Sequence, residues 1–152
     1  MTGTIIATCI MTLYLGWYVI SFGIPGSISQ TVYKLPHEAF FTLVMYAIAF
    51  LTIMPMIDAC SENTQVLAFL SIAGVGFVGA APLGKNCDER VHMGGALFFG
   101  VCSQTMLALN RPTLLLIWLP AAIVLLVVRG KNYLFWVEIA CIADLLVFCL
   151  WQ

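Results

Sequence analysis

TQVLAFLSIAGVGFVGAAPL, Thr64–Leu83, is a run of twenty residues without a single charge. About 20 apolar residues in a helix cross the hydrocarbon core of a bilayer, and this run is apolar on every side, leaving no polar face for water. Its small residues recur at close spacing: Gly76 and Ala80 lie four apart, with Gly74, Gly79 and Ala81 beside them. That spacing lets membrane helices approach closely. Helix four offers a matching set, Ala96 and Gly100 four apart with Gly94 and Gly95 adjacent. A tight antiparallel hairpin of helices three and four is the expectation.

The rest of the chain has the same character. Of 152 residues, 62% are hydrophobic and only 9% are charged, with a mean hydropathy of +1.05. Six Lys/Arg and seven Asp/Glu cannot cover a water-facing surface of this size. The composition excludes a soluble globular domain, a disordered chain and a nucleic-acid binder, which would need a basic stripe. Turn signals divide the chain into six apolar runs, about 3–24, 37–57, 64–83, 92–109, 113–128 and 133–151. The reading is all-α: one polytopic transmembrane domain over residues 1–152, a bundle of six spanning helices with no room for a soluble domain. Met1–Thr4 carries no Lys or Arg, so the first run is read as a retained helix rather than a secretory signal. Pro25-Gly26 ends it, and Pro55 and Pro120 should kink helices two and five.

Orientation follows the cations. Lys34, Lys85, Arg90, Arg129 and Lys131 fall in loops one, three and five, and Arg111 alone falls on the other side. Five against one places the odd loops in the cytoplasm and both termini outside, in what reads as a bacterial inner membrane. The six cysteines lie mostly in apolar runs with no CxxC spacing, and read as small packing residues.

The informative polar residues are those that a bilayer makes expensive. Asp144 falls near the middle of helix six and Glu138 about two turns in, with Cys141 three residues from each. Asp144 should face the bundle interior and be paired or protonated, and is a candidate intramembrane proton site. A second group gathers by topology where loops one and three meet: Ser27, Ser29, Tyr33, His37, Glu38, Asp88, Glu89, Arg90 and His92, with Glu138 reaching toward them. From it Ser27, Ser29, Tyr33, Glu38, His92 and Glu138 are the candidate ligand-binding residues. A helix-start reading competes with this, because acidic residues suit a helix N-terminus.

No metal site is expected, because two histidines about 55 positions apart lack any ligand spacing. No cofactor is expected either: phosphate-loop, dinucleotide and nucleophile-elbow patterns are all missing. The leading reading is a protein, not an enzyme, that binds membrane lipid or another small amphipathic molecule in a polar pocket at the loop-one and loop-three end. A small proton-coupled transporter or channel using Asp144 and Glu138 is the alternative, and a membrane-embedded hydrolase a distant third. A homo-oligomer suits a bundle this small.

PGSISQTVY after helix one, AFLTIMP in helix two, FLSIAGVGFVGAAP in helix three and RVHMGGALFF opening helix four together resemble a group of uncharacterised bacterial six-span membrane proteins. More distantly the chain is similar to the DUF998 group and to the Frag1/DRAM/Sfk1 membrane proteins. The shared pattern is a glycine-rich third helix ending near a proline, then a histidine opening the fourth, here Gly74, Gly76, Pro82 and His92. The resemblance covers roughly residues 24–100. It implies a six-helix bundle and brings no activity with it.

Overall fold

In the computed structural model the described residues are 1–83, 89–128 and 132–151, and the side chains of Glu89 and Val128 are not described. Lys85 and Asp88 of loop three, and Arg129 and Lys131 of loop five, therefore lie outside the described residues. The chain is all-α: α1 Thr2–Phe22, α2 Glu38–Ala59, α3 Gln65–Ala80, α4 Glu89–Asn110, α5 Trp118–Val128 and α6 Tyr133–Leu150. Short 3₁₀ helices flank them at Ser29–Lys34, Glu62–Thr64, Ala81–Leu83 and Pro112–Ile117. There is no strand among the described residues.

Five helices are long and apolar enough to cross a membrane: Thr2–Phe22, Glu38–Ala59, Glu62–Leu83, Arg90–Asn110 and Tyr133–Leu150. The fifth apolar run is shorter, Pro112–Val127, and it is not a uniform helix. It opens as the 3₁₀ helix Pro112–Ile117 and becomes α-helical at Trp118. Pro120 explains the change. It has no N–H to give to the Leu116 carbonyl and its ring crowds that carbonyl, so the chain before it tightens, with the Trp118 N–H bonded to the Leu115 carbonyl. Pro120 thus sits in the first turn of α5, where proline is tolerated, and not in the middle of a kinked span. The tighter coil also rises faster, about 2.0 Å per residue against 1.5 Å. Residues 112–128 consequently extend about 28 Å, close to the roughly 30 Å of a hydrocarbon core.

Helix ends differ from the sequence reading by identifiable chemistry. α1 stops at Gly23, whose φ of 81° is open to glycine and whose N–H caps the Val19 carbonyl. The Pro25-Gly26 pair follows that stop instead of making it. Loop one is not extended: residues 29–34 coil and fold back so that Ile28, Val32 and Leu35 are buried against the bundle.

α6 packs against α1, α2, α4 and α5. Two apolar clusters stack along it. One gathers Tyr14, Phe41, Met45 and Phe135 at the loop-one end; the other gathers Met56, Met106, Leu145 and Phe148 at the opposite end. Ile72 and Phe99 pack against both.

α3 and α4 approach closely, as their small residues imply, and they meet at Gly74 and Gly95 rather than at Gly76 and Gly100. A Cβ at Gly74 would stand 2.7 Å from the Phe99 nitrogen and 2.8 Å from the Gly95 carbonyl oxygen. One at Gly95 would stand 2.8 Å from the Phe77 Cβ. Gly76, Gly94 and Gly100 have open space where a Cβ would go. On the other side of α3, the Thr42 hydroxyl donates to the Gly79 carbonyl at 2.7 Å, tying in α2.

Candidate functional site

Three places among the described residues offer polar chemistry or open space of interest. At the loop-one end, the segment Gly26–Ile28 is clamped onto the start of α6. The Phe135 N–H donates to the Gly26 carbonyl at 3.1 Å, and the Ile28 N–H donates to Glu138 Oε2 at 2.5 Å. Ser27 is buried, with its hydroxyl 3.0 Å from that of Ser29 and accepting from the Gln30 N–H at 3.2 Å. Thr31 bridges inward, donating to the Ile28 carbonyl at 2.6 Å and lying 2.5 Å from the Tyr14 hydroxyl. Every one of these bonds organises the loop.

The structure thus brings Ser27, Ser29 and Glu138 together at the segment 26–29. Tyr33 is 76% exposed, and Glu38 is also exposed, in the first turn of α2. His92 is half-buried in the first turns of α4. Among the described residues no group of His, Cys, Asp and Glu has the arrangement of a metal site.

The second place is the middle of the bundle. Asp144 is fully buried on α6, and neither of its carboxyl oxygens has a hydrogen-bond partner. The Trp118 indole N–H donates to Gln104 Oε1 at 2.9 Å and also bears on the Asp144 carboxyl, without meeting hydrogen-bond geometry. The Gln104 amide nitrogen is buried and unpartnered. Asp144 was legible from sequence as a charge in a span. Gln104 and the polar role of Trp118 were not, because neither is costly enough in an apolar run to stand out.

The third place is a surface groove of about 390 Å³ between α1 and α2. α1 contributes Ile10, Leu13, Tyr14 and Trp17, and α2 contributes Phe40, Leu43, Val44 and Ala47. Both sets follow the same i, i+3, i+4, i+7 spacing, which is one face of a helix. The groove is the seam where two such faces meet without closing. None of the six expected ligand-binding residues lines it. An aromatic cluster stands at its loop-one end, with the Trp17 and Phe40 rings 6.4 Å apart and those of Tyr14 and Phe40 6.0 Å apart. Lys34 reaches the same end of α1, donating to the Phe22 carbonyl at 3.4 Å.

No family model, no curated protein and no solved structure matches this chain.

Proposed function

We propose that this protein binds a membrane lipid, with one acyl chain in the groove between α1 and α2 and the head group at the loop-one end. The observation that carries the reading is the groove itself: open, lined without a charged residue, and running up to an aromatic cluster of the kind found at membrane interfaces. Its one hydroxyl, that of Tyr14, is already engaged with Thr31. A lipid tail leaving the bilayer for such a groove gains no hydrophobic free energy, because both environments are hydrocarbon. Retention must come from dispersion contacts along the seam and from polar contacts to the head group. Glu38 lies two residues before Phe40, and Lys34 lies beside the end of α1, so the groove's mouth has both signs of charge within reach. This moves the acyl chain out of the polar pocket expected from sequence, and keeps the head group where that expectation put it.

The test is native mass spectrometry of protein released from mild detergent. The unaltered chain is expected to carry co-purified phospholipid. Ala47→Trp, which fills the groove, should release it, and Glu38→Gln should change which head groups are retained. Equal lipid retention by folded Ala47→Trp protein would overturn the reading.

A further inference from the structure

Asp144 lies where the two apolar clusters meet on α6, between Ile142 above and Leu145 below. A carboxylate left isolated in hydrocarbon neutralises or finds donors. Among the described residues the Trp118 indole N–H bears on this carboxyl, and that N–H is already given to Gln104 Oε1. Gln104 holds a second buried donor, its amide nitrogen, which has no acceptor. Three side chains from three helices therefore share an unbalanced account: two acceptors compete for one indole N–H, and a spare donor stands on the same glutamine. Trp118 is also the first residue of α5, where the 3₁₀ coil of Pro112–Ile117 gives way to α-helix.

We propose that Asp144, Gln104 and Trp118 form a buried proton-binding site in which the Trp118 N–H bonds Gln104 while Asp144 is the neutral acid and turns to Asp144 when it is ionised. The chemistry is a single protonation: an O–H bond of hydronium breaks as one O–H bond forms on the Asp144 carboxylate, water is released, and no other covalent bond of the protein changes. Hydrogen bonds to an ionised acceptor are roughly twice as strong as neutral ones. Ionisation therefore favours drawing the indole off the Gln104 amide oxygen, and the freed glutamine can then offer its N–H to the same carboxylate. The movement is passed to the start of α5 because Trp118 is part of its backbone.

The other titratable groups on the elements around α6 do not supply the missing partner. Cys141, on α6, lies near both Asp144 and Glu138, and Glu138 is held by Ile28. Cys9, Tyr14 and Tyr18 of α1, Tyr46 of α2, and Cys102 of α4 are thiols and phenols that cannot carry a positive charge, and Glu38, Asp58, Glu89 and His92 stand toward helix ends. The described Lys and Arg residues, Lys34, Arg90 and Arg111, also stand at helix ends, so no cation within the spans fixes the charge of Asp144.

The proposal extends the sequence reading of Asp144 as a proton-accepting carboxyl, and needs neither a bound lipid nor net transport. The probe is Trp118 retained as the only tryptophan, with Trp17, Trp136 and Trp151 replaced by Phe, followed by ultraviolet resonance Raman of the indole N–H in detergent as pH is varied. The expected result is one titration of the indole hydrogen-bond marker, absent in Asp144→Asn, reduced in Gln104→Leu and retained in Glu138→Gln. In case Asp144→Asn does not fold, a protein carrying Asp58→Asn and Asp88→Asn with ¹³C-labelled aspartate leaves Asp144 as the only labelled carboxyl. Its infrared carboxyl stretch must then titrate with the same midpoint as the indole. A flat indole signal in folded protein, loss of the titration in Glu138→Gln, or a carboxyl midpoint unrelated to the indole would each overturn the site. Any of these results would leave the lipid reading, which rests on groove variants, where it stood.

Discussion

Glu138 joins parts of the chain 110 residues apart, because its carboxylate accepts the N–H of Ile28 at the turn into the coiled part of loop one. Among the described residues that N–H has no other acceptor, and it is carried on a residue only 4% exposed. Removing the carboxylate leaves a buried donor unmet, which costs about 1–3 kcal/mol. Glu138→Ala is therefore expected to lower stability by about that amount, and to open residues 26–35 to protease. Glu138→Gln keeps an acceptor oxygen in place and should recover most of the loss. Thermal unfolding in detergent with limited proteolysis measures both, and equal losses in the two variants would count against the latch. At this scale the sequence was legible only where a residue is expensive. Glu138 and Asp144 stood out because a carboxyl within a span demands a reason. Thr31, Asn110 and Gln104 are uncharged, and nothing in their spacing separates a network member from a bystander.

Helices three and four show why an element can be legible while its contact is not. The density of glycine and alanine on both helices pointed correctly to a close pair. It put Gly76, Ala80, Ala96 and Gly100 first because those fit a spacing of four, with Gly74 and Gly95 only beside them, whereas the backbones meet at Gly74 and Gly95. Small residues lie on several faces of α3, and the choice among faces is made by α2, which takes Gly79 against Met45 and Tyr46. Gly74→Ala should be destabilising by about 1–3 kcal/mol, since the new methyl meets backbone atoms that cannot rotate away. Gly76→Ala and Gly100→Ala meet open space, and should be neutral or stabilising by up to about 1 kcal/mol through helix propensity alone. Detergent-titrated unfolding of the three variants checks the order, and Gly76→Ala proving the most damaging would mean the helices pack on the other face. The fifth apolar run was harder still to read. Its sequence is uniformly apolar, so only the backbone demand of Pro120 distinguishes a 3₁₀ start from a regular helix.

For the molecule as a whole, two sets of backbone contacts sort the loops by end. The Gly26–Phe135 and Ile28–Glu138 bonds put loop one beside the start of α6. Asn110 ties the opposite end: its Oδ1 accepts from the Ser61 N–H at 2.9 Å and from the Thr64 hydroxyl at 3.0 Å, bringing the turn after α2 to the turn after α4. Loop one and the start of α6 thus share one end, and loops two and four share the other. By sequence, five of the six cations belong to the odd-numbered loops, Lys34 among them in loop one, and Arg111 alone belongs to the even-numbered ones. Because cytoplasmic loops retain Lys and Arg, we propose that loop one faces the cytoplasm and the turn between α2 and α3 faces outward. In a cysteine-free background, Asn63→Cys should react with a membrane-impermeant maleimide on intact cells, and Lys34→Cys should react only after the membrane is opened. The reverse pattern would invert the assignment. Equal reaction at both positions in intact cells would mean that copies insert in both orientations, and the cation count would then not set the topology of this chain.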